Sequence, residues 1–250
     1  IHLLETLRKI WPGLRIIFYN TKRNALKIIR NDMTQKLVTL DTKDDISIIT
    51  LDDGKANVFS STMIEDFNKC LDQVSTDNGA LIIKGRDGIL SGGFDLKIIS
   101  SGDMKAIHEM TSSGFRLLSR ILSFPRPVIA ACTGHAIALG TFMLCCCDYR
   151  IGAKGDFMIG VNEMRTNMVI PIPILELIKF RVSQRHKYRA ILGAEMYSID
   201  AAVEAGLMDK AVEKKKLMEE ALLKAEDLAT MGHPSYSLTK ELLINDVVTK

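Results

Sequence analysis

Apolar residues recur along this chain in two rhythms, short strand-like runs in its first part and helical spacings toward its end. From Lys36 to Leu51 the pattern predicts two strands, Leu37 to Leu40 and Ile46 to Leu51, separated by the polar turn Thr42 to Asp45. Ser60 or Ser61 then caps a helix whose apolar residues Met63, Ile64, Phe67, Leu71 and Val74 lie at helical spacing, with Glu65 and Asp66 expected in its first turn. After Asp77-Asn78-Gly79, the run Ala80 to Ile83 reads as a short buried strand. A second unit follows the glycine-containing segment Gly85 to Gly93. It comprises an amphipathic helix from about Met104 to Leu122, a stop at Pro125-Arg126-Pro127, and the strand Val128 to Cys132. Further strands are expected near Tyr149 to Gly152 and Asp156 to Gly160. From about residue 172 the chain reads as mostly helical, through Ile174 to Arg181, Gln184 to Leu192 and Ser198 to Ala205. A short strand near Lys210 to Val212 precedes the final helices, so the class is α/β, strand-rich first and helix-rich last.

Composition narrows this picture. At 250 residues and 47% hydrophobic, the chain can bury one sizeable core. Charged residues interrupt every apolar stretch well short of the roughly 20 residues a membrane-spanning helix needs, so no membrane partner is expected. The net charge of +3 is uneven: residues 1–32 hold seven Lys or Arg against two acids, leaving 26 basic and 28 acidic residues in the remainder. That imbalance at one end is not a nucleic-acid footprint, and no nucleic-acid partner is expected. Residues 1–32 are read as a basic extension outside the domain, either sequence upstream of a start at Met33 or a targeting presequence; residues 33–250 are read as one catalytic domain. The five cysteines show no CxxC pair and no zinc-ligand spacing, so they are read as buried thiols in a reducing, cytoplasmic setting, with no metal expected.

The common chemical signatures are missing. His108-Glu109 begins like a zinc-protease helix, yet Ser112 stands where the second histidine belongs. The sequence has no phosphate-cradling loop, no dinucleotide fingerprint and no nucleophile elbow. Two small-residue segments remain, Leu90-Ser91-Gly92-Gly93-Phe94-Asp95-Leu96-Lys97 and Thr133-Gly134-His135-Ala136-Ile137-Ala138-Leu139-Gly140, each read as a turn from a strand into a helix. Such turns leave N–H groups aimed outward, where developing negative charge can accept them; the same turns also serve plain chain reversal.

With Asp52-Asp53-Gly54-Lys55-Ala56-Asn57, Pro127 to Gly134, Cys147-Asp148-Tyr149-Arg150-Ile151 and the segment Tyr197 to Asp209, these motifs resemble the successive signatures of the enoyl-CoA hydratase/isomerase (crotonase) family, over residues 36–215. The resemblance implies a spiral of repeated ββα units with a helical C-terminal region from about residue 172, assembled as trimers or dimers of trimers. It implies that an acyl-CoA thioester binds with its oxygen between two main-chain amides, coenzyme A entering as part of the substrate and no further cofactor being used. Carried over, the first amide is that of Phe94, between Gly93 and Asp95. The second falls on Leu139, where the family usually has Gly, with Gly140 as the substitute.

Family hydratases use two glutamates. Phe142 stands at the first position and cannot move a proton; the second is Glu163, preceded by Asn162. The apolar neighbours Met158, Ile159, Val161, Met164 and Met168 are expected to raise its pKa, although an exposed glutamate at a strand end fits the same pattern. Lys55, Ala56 and Asn57 match the segment near the adenine and pantetheine, and Lys97 is placed to meet a phosphate. His135 is read as a packing or hydrogen-bonded residue, and Met196 with the other methionines as core or acyl-pocket lining. A single glutamate with two amides favours moving a double bond. Hydration or hydrolysis through water held by Asn162 and Glu163, and a silent acyl-CoA-binding protein, are the alternatives.

Overall fold

In the computed structural model, which describes residues 36–248, the described residues from Leu37 onward form one compact unit. The basic segment 1–32 lies outside the described residues. Strands β1 (Val38–Lys43) and β2 (Ile46–Leu51) form an antiparallel hairpin; Asp44, at φ 52, makes the turn. Helix α1 (Ser61–Leu71) follows, with Ser60 as its cap, its hydroxyl accepting from the Met63 N–H at 3.2 Å. Glu65 and Asp66 fall one turn later than expected, and Asp66 instead accepts from the Leu37 N–H, tying the helix to the hairpin.

The repeating unit is then visible. β3 (Ala80–Gly85) and β4 (Gly88–Ser91) lead to the short α2 (Leu96–Ile99) and the long α3 (Met104–Leu122); β5 (Val128–Cys132) and β6 (Gly134–Ile137) lead to α4 (Leu139–Cys146). β7 (Tyr149–Ala153) and β8 (Ile159–Gly160) lead to a 3-10 turn (Glu163–Thr166) and α5 (Ile172–Arg181). The chain closes with α6 (Lys187–Ile191), α7 (Ile199–Ala205), β9 (Lys210–Val212), α8 (Leu217–Ala229) and α9 (Ser235–Val248).

Each unit places its first strand in one sheet and its second in another. The large sheet runs β1-β2-β3-β5-β7-β9, parallel beyond the hairpin; the small sheet runs β4-β6-β8, parallel throughout. β4 and β6 correct the sequence reading, which took both segments as turns. Four residues each, with glycine at the start and no alternation, they carry too little pattern to be recognised.

Alternation along the large sheet sorts the core. Leu81 and Ile83 of β3, with Val128 and Ala130 of β5, face α1, α3 and α4, whereas Ile82, Ile129 and Ile151 face Leu217, Ala221 and Ala225 of α8. All five cysteines are buried and form no disulfide, and burial pushes the Cys132 and Cys147 thiols up to about 12, so they behave as apolar filling. No helix among the described residues is long and apolar enough to cross a membrane.

Candidate active site

The three groups singled out for chemistry follow the three strands of the small sheet: Phe94 after β4, Leu139 after β6 and Glu163 after β8. A parallel sheet points all its strands the same way, so their C-terminal ends open on one edge, where ligands of α/β proteins collect.

At the first turn, the Gly93 carbonyl accepts from the Phe59 N–H at 2.8 Å. A trans peptide sets its carbonyl and its N–H in opposite directions, so the Phe94 N–H is turned away from Phe59. Hydrogen bonds hold this turn from behind. The Ser91 hydroxyl donates to the Asn57 carbonyl at 2.7 Å and accepts from the Gly93 N–H at 3.1 Å, and the Gly92 N–H donates to the Ala56 carbonyl at 2.8 Å. Gly93, at φ +95, occupies a conformation that L side chains rarely adopt. Asp95 caps α2 by accepting from the Lys97 N–H at 2.9 Å.

The same peptide argument orients the second donor. The Ala138 carbonyl accepts from the Phe142 N–H at 3.0 Å inside α4, so the Leu139 N–H points out of the helix's first turn, joined there by the Gly140 N–H. Ala138 itself is held at φ 52 and ψ −119, a costly conformation for a residue with a β-carbon. The two turns touch: a methyl placed on Gly93 would sit 3.5 Å from the Leu139 nitrogen, and one on Gly140 would sit 2.6 Å from the Ser91 carbonyl oxygen. The Leu139 side chain is buried. Its tip and the Phe94 ring both pass close to Gly114 of α3, where a β-carbon would stand 2.5 Å from that ring. The α4 dipole adds positive potential at the same edge.

Glu163 opens the 3-10 turn and is 7% exposed, which removes the reading of it as a surface residue. Burial raises its pKa to about 7, opposed by backbone hydrogen bonds from Glu163 and Asn162, and its Oε2 is buried with no hydrogen-bond partner. The apolar shielding differs from the expectation: Ile159 and Val161 are buried, whereas Met158 and Met164 are more than a third exposed. Asn167 takes the left-handed conformation that closes this turn, which is how Asn stands in for a glycine. Phe142 is buried on α4 at 3% exposure. An apolar cavity of about 150 Å³ adjoins these helices, lined by Phe115 and Leu118 of α3, Cys146 of α4, and Pro171, Ile174 and Leu177. Phe115 packs edge-on to Phe94, ring centres 5.7 Å apart. Larger clefts lie elsewhere, one of about 480 Å³ beside Arg181, Tyr236 and Lys240.

Not every predicted residue faces the same space. Asn57 is fully buried; its Nδ2 donates to the Leu51 and Leu90 carbonyls and its Oδ1 accepts from the Asp53 N–H, so its amide serves the scaffold. Lys55 and Lys97 are exposed and Ala56 is half-buried. His135 accepts from the Met158 N–H at 3.1 Å and packs edge-on to Phe157, the packing role expected of it. Ser91, Gly114 and Thr141 were missed. Their sequence signals are slight: a serine before two glycines, the glycine within α3, and the one hydroxyl in an otherwise apolar α4.

A large mixed sheet and a small parallel sheet wound as ββα units, with a buried carboxylate beyond the end of the small one, place the chain among two-sheet α/β proteins. The chain belongs to the enoyl-CoA hydratase/isomerase family, whose profile matches residues 41–249. It is similar to an enoyl-CoA hydratase/isomerase family protein of Pseudomonas syringae, with 37% identity, a TM-score of 0.82, and 85% of this chain and 92% of that one covered. A structure of the enoyl-CoA isomerase of Mycobacterium tuberculosis superposes with a TM-score of 0.80 at 34% identity, over 86% of this chain and 93% of that one. A probable enoyl-CoA hydratase of Bacillus subtilis is 28% identical over 209 residues, 81% of this chain and 80% of its own. The fold is therefore the crotonase fold.

Proposed function

We propose that this chain is an enoyl-CoA isomerase that moves a double bond from the 3- to the 2-position, with Glu163 as the only proton carrier. The observation that carries the reading is the buried Glu163 carboxyl with an unbonded Oε2; the family resemblance adds that Phe142 stands where hydratases carry a second glutamate. The thioester oxygen lies between the Phe94 and Leu139 amides, with Gly140 adjoining. Glu163 takes a proton from C2, and the electron pair spreads through the thioester oxygen and C4 as a dienolate. The same carboxyl then returns the proton to C4, leaving the double bond between C2 and C3. Two main-chain donors suit this step because charge on the oxygen grows as the C2–H bond breaks. Hydration is disfavoured in this reading because the resemblance puts Phe142 at the position of its second glutamate. Lys55 and Lys97 meet the phosphates, the acyl tail enters the cavity beside Phe115 and Cys146, and the exposed Leu238, Leu242 and Leu243 of α9 meet other copies in a trimer.

The test is conversion of 3-enoyl-CoA by the protein and by Glu163→Gln, a change expected to lower kcat by about 10² to 10⁴. Because the base must be ionised, kcat/KM should fall as pH drops through about 7, and that limb should vanish in the variant. Equal activity in both proteins rules the reading out. Mass spectra showing a 3-hydroxyacyl-CoA or a free acid would assign hydration or hydrolysis instead, and tight acyl-CoA binding without turnover would assign a silent binder.

A further inference from the structure

Thr141 is the one residue of α4 with a polar side chain, and it is fully buried. Its hydroxyl lies 2.7 Å from the Ala136 carbonyl oxygen on β6 and 2.9 Å from the Gly160 carbonyl oxygen on β8, to either of which it donates. It accepts from the Gly160 N–H at 3.1 Å. The Gly160 carbonyl also accepts from the Ala138 N–H at 3.0 Å. One hydroxyl thus joins three pieces of the site: the last part of β6, the first turn of α4, and the residue three before Glu163. Its contact with Ala136 spans the turn at Ala138, whose positive φ gives the chain a reason to relax there. A hydrocarbon of the same shape would remove the buried hydroxyl's bonds to both carbonyls and leave the Gly160 N–H to its ladder bond with β6 alone.

We propose that Thr141 is a positioning residue, a latch that fixes the strand leading to Glu163 against the turn presenting the Leu139 and Gly140 amides. The inference rests on the function proposed above and adds what sets the separation of base and amides. The latch acts on chemistry rather than on binding, since coenzyme A and the acyl tail are gripped elsewhere. It also keeps Glu163 from water, because β8 leads directly into the turn in which Glu163 is buried.

The experiment compares Thr141→Val and Thr141→Ser in the full chain, with Glu163→Gln alongside. Loss of the latch is expected to lower kcat for 3-enoyl-CoA by about 10- to 100-fold in Thr141→Val, with KM nearly unchanged, and Thr141→Ser should restore most of it. In parallel, carbon-13 labelled glutamate reports the Glu163 titration without any turnover. It should stay near 7 in the wild type and in Thr141→Ser and move down toward 4.5 in Thr141→Val as water enters. Should Thr141→Val lack the native circular dichroism, Thr141→Ala takes its place in both measurements. If the wild type converts no enoyl-CoA, or Glu163→Gln matches it, the function falls, and the titration alone still judges the latch. A titration in Thr141→Val that overlays the wild type, or a kcat that holds while Glu163→Gln loses activity, overturns the latch.

Discussion

The turn after β4 and the turn after β6 both turn main-chain N–H groups outward, yet they are built by opposite means. The first uses glycine freedom at Gly93 and a set of hydrogen bonds from Ser91 and Ala56, and it leads into the four-residue α2, where Leu96 and Lys97 are exposed. The second forces Ala138 into a conformation better suited to glycine and leads into α4, every residue of which is buried. A strained backbone of this kind costs about 1 to 3 kcal/mol and persists only where the surroundings over-determine it. The lesson is that a donor can be aimed either by a backbone free to turn or by packing that leaves it no choice.

Three substitutions sharpen that contrast. Gly140→Ala should have the largest effect, because its new methyl meets the Ser91 carbonyl at 2.6 Å and backbone must move. Overpacking of that sort costs about 1 to 3 kcal/mol in urea unfolding, and a displaced donor about 100-fold in kcat. An unchanged urea midpoint would show the two turns to be independent. Gly93→Ala should come next, losing about 1 to 2 kcal/mol to its positive φ, since its methyl meets the Ala138 side chain at 3.0 Å and the Ile137 carbonyl oxygen at 3.2 Å, both milder than the 2.6 Å contact at Gly140. Ala138→Gly should have the smallest effect and the opposite sign. Relief of strain exceeds the entropy that glycine loses on folding, so the melting temperature should rise, by the equivalent of about 1 kcal/mol. A fall instead would mean that Ala138 is not strained.

How much of this was legible follows from length and polarity. The long α3, with its apolar face at helical spacing and its Pro125-Arg126-Pro127 stop, was read to the residue, and so were β2, β5 and β9. β4 and β6 escaped because a second sheet, not their own sequence, makes them strands: Gly88 to Ser91 and Gly134 to Ile137 hold no period. Phe94 and Leu139 came from register with a family pattern, and the structure adds the direction of their N–H groups, which no side chain encodes. Glu163 was placed in apolar surroundings for partly mistaken reasons, since two of the methionines invoked face outward. Thr141 was passed over because a lone threonine in a helix carries no signal until its partners, Ala136 and Gly160, are brought beside it.

The small sheet also works as a ruler. Neighbouring strands in a ladder stand about 4.8 Å apart, a pitch fixed by backbone hydrogen bonds and indifferent to side chains. With β6 between β4 and β8, the middle rung offers an amide, one flank a second amide and the other flank a carboxyl. A change in any turn therefore alters what its rung offers without altering the pitch. Chemistry on such a frame can be exchanged one rung at a time.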